Sequence, residues 1–175
     1  MWLRGLCSAL ALPIAAMLAG TSPASVQAQE DKPLVNLAAN AKFGPAPNAP
    51  ECFTIAVERG DPGSGPSVIL ARFAPACTAP FHWHTPSETA MIVSGSLQLQ
   101  MKDGKPLVAR RGDFAYLPSH HVHRATCLGA APCLVFLSAD APFDIHWVDG
   151  AGQEISLDAA LKGAKSAFPA TRKPR

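Results

Sequence analysis

The segment from Phe81 to Glu88 contains the residue types best suited to chemistry in this chain. His82 and His84 are separated by one residue, so on a strand they would share a face, because strand side chains alternate with a period of two. Glu88 follows a Thr-Pro-Ser sequence, which favours a turn that could bring its carboxylate back towards the imidazoles. With His123 further along, the chain offers three imidazoles and one carboxylate, a set typical of divalent transition-metal centres.

A metal held by such a set keeps a net positive charge. It could polarise a bound carbonyl or enolate, lower the pKa of a bound water, or present dioxygen to a chelated substrate. Iron, manganese, nickel, cobalt and zinc all accept these ligands, so the residue types alone do not select the metal. A single histidine is more often a surface or hydrogen-bonded residue, and the combination of residues is what predicts a metal site.

The rest of the chain indicates an all-β domain. Short apolar segments, separated by turn residues every eight to twelve positions, favour a sandwich or a closed barrel. Residues 90–93 are apolar at every position, which predicts a strand buried on both faces between two sheets. Residues 157–165 have a weak helical period, with an acidic residue early and lysines late. We therefore expect an extended arm at 29–51, a barrel at 52–150 and a C-terminal helix or tail at 151–175.

Residues 1–28 have the pattern of a cleaved secretory signal peptide. Arg4 precedes an apolar stretch from 6 to 19, and small residues end the segment at Ala28. The stretch is shorter than the ~20 residues that a membrane-spanning helix needs. We expect the mature protein to begin near Gln29, to be periplasmic or secreted, and not to be held in a membrane.

Export changes how the cysteines are interpreted, because an oxidising compartment favours disulfides. Four cysteines follow the signal segment. Cys127 and Cys133 flank a turn-like sequence and could face each other across a hairpin, which would leave Cys52 and Cys77 as partners by elimination. Buried free thiols are the alternative.

Composition excludes several function classes. The net charge of +2 at 175 residues gives no reason to expect a nucleic-acid partner. The glycine-rich loop at 60–65 lacks the strand–loop–helix context of a phosphate site, and there is no Gly-x-Ser-x-Gly nucleophile motif. A small molecule remains as the expected partner.

Two motifs in order resemble those of the cupin superfamily. His82-x-His84, three residues, Glu88, six residues and Gly95 match the core of the first motif, and Gly112, five residues, Pro118 and then His123 match the second. The resemblance covers roughly residues 67–138 and extends more loosely to exported single-domain bacterial cupins of generally unassigned activity. Three positions depart from the usual pattern, namely Ala76 and His120 in place of glycines and Cys127 in place of an asparagine.

The resemblance implies a jelly-roll barrel that holds a metal inside through His82, His84, Glu88 and His123. It also implies a metal-dependent small-molecule enzyme, with oxygenative cleavage of a diketone-like or phenolic substrate as the leading hypothesis. Isomerase, lyase or decarboxylase chemistry is the non-redox alternative, and a binding module without turnover is the alternative from another class. Cupins often pair through their sheets, so a homodimer is a further expectation.

Two residues near the second motif are candidates for proton transfer beside the metal. Tyr116 precedes Pro118 and could present its phenol near the site, and His120 could move protons at the mouth. A buried structural tyrosine and a solvated loop histidine are the alternative interpretations.

Overall fold

Eleven strands form the framework of residues 32–167, the part of the chain that the computed structural model describes. The strands are β1 (Gly44–Pro45), β2 (Phe53–Gly60), β3 (Ser67–Phe73), β4 (Thr78–Trp83), β5 (Glu88–Ser94), β6 (Ser96–Met101), β7 (Leu107–Arg110), β8 (Phe114–Leu117), β9 (His123–Leu128), β10 (Cys133–Ala139) and β11 (His146–Trp147). A short 3-10 helix (Ala38–Asn40) precedes them, and the helix α1 (Leu157–Ala167) follows. The predicted helix is therefore present, two residues longer than expected.

The strands form two antiparallel sheets with the jelly-roll arrangement that the sequence predicts. The order in the six-stranded sheet is β1-β2-β3-β10-β5-β8, and in the five-stranded sheet it is β11-β4-β9-β6-β7. From β3 onward most connections carry the chain from one sheet to the other, so strands distant in sequence become neighbours. The two inner faces enclose the core, to which Ile69, Phe73, Leu97 and Val135 contribute buried side chains.

Gly95 shows why one of these connections needs glycine. It joins β5 to β6 with φ at 84°, in the left-handed region that L side chains rarely adopt. A Cβ atom at this position would lie 2.9 Å from the Sγ atom of Cys133, so both the conformation and the space exclude a larger residue. The motif glycine therefore permits the chain to change sheets tightly.

The two positions where the chain departs from the expected glycines also have left-handed backbone. Ala76 has a φ of 60° and His120 a φ of 59°. A non-glycine residue in this region costs about 1–2 kcal/mol, because its Cβ approaches the following carbonyl oxygen. The turns have thus kept a glycine-like shape without glycine.

Strand β5 differs from the prediction that both of its faces are buried. Ala90 and Ile92 are buried, but Met91 and Val93 are 46% and 43% exposed, because no second layer formed by residues 32–167 covers the outer face of the six-stranded sheet. Met91 is paired with Phe136 on one side and with Phe114 on the other, which places exposed apolar side chains next to one another. Dimerisation through this face stays a prediction.

Both disulfides are present, but one of them does not close a hairpin. Cys52 is bonded to Cys77, and Cys127 to Cys133. Cys127 lies in β9 and Cys133 begins β10, and these strands belong to different sheets. The second bridge therefore ties the two sheets together, because the segment between the cysteines crosses from one sheet to the other.

The predicted arm lies largely within the described residues, whereas the predicted signal peptide does not. Within the described residues, the strand pairing of the arm is that of β1 (Gly44–Pro45) with β2. The predicted signal peptide at 1–28 lies outside the described residues, and the predicted domain limits stay predictions. In the described part of the chain, none of the helices is long and apolar enough to cross a membrane.

Candidate metal centre

Three histidines converge inside the barrel because β4 and β9 are neighbours. His82 in β4 is paired directly with His123 at the start of β9, and His84 lies one residue beyond the end of β4. All three are at least 95% buried, and their candidate ligand nitrogens lie within 4.8 Å of one another. Trp83, between the first two, is on the opposite face, as the period-of-two argument predicts.

Nδ1 of each histidine is hydrogen-bonded to a backbone carbonyl. Nδ1 of His82 lies 2.6 Å from the Pro80 oxygen, Nδ1 of His84 lies 2.5 Å from the Asp144 oxygen, and Nδ1 of His123 lies 2.8 Å from the His121 oxygen. A carbonyl can only accept, so each Nδ1 carries a proton and donates it. A neutral ring in this tautomer has its lone pair on Nε2, which is how metal-binding histidines are commonly oriented.

Glu88 reaches this centre from the other sheet. It is the first residue of β5, is buried, and places Oε2 3.0 Å from Nε2 of His84. The compact group of nitrogens consists of the three histidines, and Glu88 stands beside one of them rather than within that group. The structure thus brings all four predicted ligands into one buried location, in which Glu88 contacts His84 but lies outside the group of mutually close histidine nitrogens.

Burial and neighbouring charges set the protonation of these groups. Burial lowers the pKa of His82 well below its ordinary value, and the nearby His123 and His84 lower it further. Burial also lowers the pKa of His123, although the Glu88 carboxylate opposes this shift. Both rings are therefore neutral at pH 7, as metal coordination requires.

His84 and Glu88 form a pair with the opposite tendency. Burial would lower the pKa of His84, but its contacts with Glu88 and with Asp144 together raise the pKa above the ordinary value. Burial would raise the pKa of Glu88, yet the close contact with His84 and the charges of His84 and His123 hold it below its ordinary value. A metal at this position would replace the proton that His84 and Glu88 otherwise compete for.

One buried nitrogen of the set indicates by itself that the four side chains fit a divalent metal. Nε2 of His84 is buried and has no well-oriented hydrogen-bond partner within the described part of the chain, despite its proximity to Glu88. A buried polar atom without a partner is costly, and a bound cation would satisfy it. His82, His84 and His123 can supply the nitrogen ligands, with Glu88 as the anionic oxygen ligand.

A cavity of about 50 Å³ adjoins the four side chains. Apart from those four, the wall is made of apolar residues, including Phe53, Phe73, Leu97, Leu99, Val135 and Leu137. A dry wall of this kind strengthens electrostatic interactions at the centre and keeps bulk water away from it.

Tyr116 and His120 lie outside this cavity wall. Tyr116 is 57% exposed on β8, and its hydroxyl donates to Oγ of Ser87 at 3.2 Å. The ring of His120 stacks on Trp83 at 4.5 Å between centroids, on the outer side of β4. The backbone N–H of His120 donates to the carbonyl of His84 at 2.8 Å, so this residue supports the end of β4 through its main chain.

Sequence reasoning missed the contribution of Phe143 and Asp144. The Asp144 carbonyl accepts the hydrogen bond from His84, and one oxygen of its carboxylate accepts the backbone N–H of Thr85 at 2.7 Å. The Phe143 ring packs on the His84 ring at 4.3 Å between centroids. Sixty positions separate Asp144 from His84, and no local pattern signals a contact that depends on how the barrel closes.

Comparisons with known proteins agree on the fold. Residues 69–139 match the family model of a cupin domain. The polyketide cyclase RemF from Streptomyces resistomycificus superposes with a TM-score of 0.59 at 15% identity, over 79% of this chain and 95% of that chain. An RmlC-like cupin from Ralstonia eutropha gives a TM-score of 0.54 at 18% identity, over 78% of this chain and 89% of that chain.

A third solved structure, an RmlC-like cupin from Shewanella frigidimarina, gives a TM-score of 0.51 at 15% identity, over 63% of this chain and 92% of that chain. No curated protein matches this chain significantly. Sequence identities this low establish the shared fold and nothing about the reaction.

Proposed function

Because this chain belongs to the cupin superfamily and gathers three histidines and a glutamate in one dry cavity, we propose that it is a metal-dependent small-molecule enzyme. The proposed reaction is the oxygenative cleavage of a diketone-like or phenolic substrate. A single observation carries this proposal: in His82, His84 and His123 alike, Nδ1 is hydrogen-bonded to a backbone carbonyl, which leaves the three Nε2 atoms to bind a cation in one buried group beside a carboxylate.

A metal held by these residues would supply a Lewis acid that polarises substrate oxygens and, for a redox-active metal, a path for electrons to dioxygen. The backbone carbonyls of Pro80, Asp144 and His121 hold the histidine rings in the binding orientation. Glu88 is a carboxylate at pH 7, so its second oxygen, Oε1, can accept a proton from an enol or phenol hydroxyl beside it. The apolar wall excludes water from the reacting atoms.

A binding module without turnover is the second candidate, and one observation favours it. Tyr116 and His120, the expected proton-transfer residues, do not line the cavity. Among the described residues of its wall, this leaves Glu88 as the acid–base group besides the candidate histidine ligands. A centre with one such group is sufficient for capture of a chelating ligand. It supports fewer proton transfers than isomerase or lyase chemistry commonly uses.

An oxygen electrode separates these candidates. Protein loaded with iron, manganese, nickel, cobalt or zinc in turn is mixed with a diketone such as acetylacetone and with a phenol such as catechol. We expect oxygen uptake that rises with metal content, with one O₂ consumed for each carbon–carbon bond cleaved. His123→Ala protein treated in the same way serves as the control, and it should lose both metal and uptake.

Three other results would each contradict the oxygenase proposal. Substrate conversion without oxygen uptake would favour isomerase, lyase or decarboxylase chemistry. Ligand binding by the metal-loaded protein without conversion would favour the binding module. Absence of metal from protein purified without a histidine tag, together with failure to take up any of the five metals, would refute the metal centre itself.

We also propose that the protein works outside the cytoplasm. Two disulfides are typical of an oxidising compartment, and the segment at 1–28 has the signal-peptide pattern. N-terminal sequencing of protein from the periplasm or the medium should find a start near Gln29. Full-length protein confined to the cytoplasm with reduced cysteines would refute export.

A further inference from the structure

Among the described residues, the wall of the cavity beside the metal centre offers a ligand no side-chain hydrogen-bond partner apart from the candidate ligand set. Every other residue in its wall is apolar, and among these Trp147 alone carries a polar side-chain atom. That atom is already used, because Nε1 of Trp147 donates to the Asn48 carbonyl at 2.9 Å. The described residues of the wall include no lysine or arginine that could compensate a second negative charge.

This wall discriminates between ligand types. A hydroxyl group buried there would lose its hydrogen bonds to water and gain none from the protein. Such an unpaired group weakens binding roughly tenfold or more. An apolar group of the same size would instead gain contact with side chains such as Leu97 and Leu99. Sugars and uronic acids, which carry a hydroxyl on most carbons, are therefore poorly matched to this site.

The opening of the cavity is identified by exposure. Of the residues in the wall, only Ala49, Phe143 and Ile145 are partly exposed, and all the others are buried. Asn48 holds this region together, because its side-chain amide donates to the Ile145 carbonyl at 2.9 Å. Phe143 is the bulkiest of the three and also covers the His84 ring. Its ring therefore limits the width of what reaches the metal centre.

We propose that the metal centre takes a small ligand with a single chelating, oxygen-bearing head and an apolar body, that it rejects polyhydroxylated ligands, and that Phe143 sets the size limit. This inference rests on the proposed metal-dependent function and narrows it to one substrate class. Specificity for the body of the ligand then comes from the wall of the cavity rather than from the metal.

Three hydroxamic acids test the proposal, because they share one chelating head and differ only in the body. Propionohydroxamic and glycolohydroxamic acids have the same number of heavy atoms, with a methyl group in the first replaced by a hydroxyl in the second. Binding to cobalt-loaded protein is followed by calorimetry and by the visible spectrum of the metal, after the metal content has been measured. We expect propionohydroxamate to bind at least tenfold more tightly than glycolohydroxamate.

Benzohydroxamic acid tests the size limit. We expect it to bind wild-type protein more weakly than propionohydroxamate, and Phe143→Ala to raise its affinity at least tenfold while changing the affinity for propionohydroxamate less than threefold. Phe114→Ala is the matched control, because Phe114 is 62% exposed on the outer face of the six-stranded sheet and does not line the cavity. That variant should behave as wild type with all three ligands.

The outcomes separate this inference from the function on which it rests. A protein that takes up no cobalt would refute the metal centre, and the inference would fall with it. If the protein takes up cobalt but binds glycolohydroxamate as tightly as propionohydroxamate, or binds neither, the apolar-ligand inference is wrong while the metal centre stands. Equal affinities of wild type and Phe143→Ala for benzohydroxamate would refute the role of Phe143.

Discussion

Replacement of His123 by alanine should remove the stabilisation that the protein gains from its metal. His123 supplies one of three converging nitrogens, and its ring is 3% exposed, so water cannot readily replace the lost ligand. Mutations of residues that merely orient a metal ligand weaken binding 10–100-fold. Removal of a ligand should therefore raise the dissociation constant by a factor of about 100 or more.

The expected size of the effect follows from linkage. At a metal concentration 100-fold above the dissociation constant, binding adds about 2.7 kcal/mol to the free energy of unfolding. For a domain of this size that corresponds to a rise in Tm of about 10 °C, at about 4 °C for each kcal/mol. A 100-fold weaker variant would gain only about 0.4 kcal/mol, or about 2 °C, under the same conditions.

Calorimetry with and without a chelator measures this gain within each variant, so that any change in metal-free stability cancels. His121→Ala is the matched control, because His121 is exposed and contributes its backbone carbonyl, which the substitution keeps, to the bond with His123. We expect His121→Ala to retain the rise of about 10 °C. Full metal-dependent stabilisation of His123→Ala, or its loss in His121→Ala, would show that the centre has been assigned to the wrong residues.

Four further predictions test other parts of the structure. Glu88→Gln should weaken metal binding less than His123→Ala, as measured by equilibrium dialysis, because an amide oxygen can still coordinate. Cys127→Ser should lower the free energy of unfolding by about 2 kcal/mol in urea titrations, since the bridge closes a short loop. For the same two bridges, thiol counting on unreduced wild-type protein should find no free thiol among the four cysteines from 52 to 133. Ala76→Gly should raise the free energy of unfolding by up to about 1 kcal/mol in the same titrations, because it relieves a left-handed backbone; a decrease would contradict this. Metal-free protein should lose stability as the pH falls below about 6.5, by up to about 1.4 kcal/mol per pH unit for each buried neutral histidine. The reason is that the unfolded chain then binds protons, whereas His82 and His123 in the folded protein, with their lowered pKa values, do not. A free energy of unfolding that does not change between pH 7 and pH 5 would refute the assignment of these two rings as neutral.

His84 acts in the opposite direction in that pH series. Its pKa is raised in the folded protein, so its contribution is present below the unfolded value and is lost as the pH rises through the folded value. The metal-free protein should therefore be most stable near neutral pH. Metal binding should weaken on acidification, because His84 must release a proton before it can coordinate.

Local sequence determined much of the architecture and the identity of the candidate ligands. The period of two in the strands made it possible to predict that His82 and His84 share a buried face, and the spacing of the two motifs added Glu88 and His123 to them. Turn residues between short apolar segments indicated the barrel. These features are readable because strand geometry links neighbouring residues to a face, whatever the rest of the chain does.

Tertiary structure decided which groups surround those ligands. The acceptor for the His84 ring comes from Asp144, the disulfide from Cys127 joins two sheets rather than one hairpin, and β5 leaves its outer face uncovered. Tyr116, next to a motif in sequence, faces away from the cavity. Each of these depends on which strands become neighbours when the barrel closes. That choice depends on how the whole chain packs, so the spacing of any one segment does not reveal it.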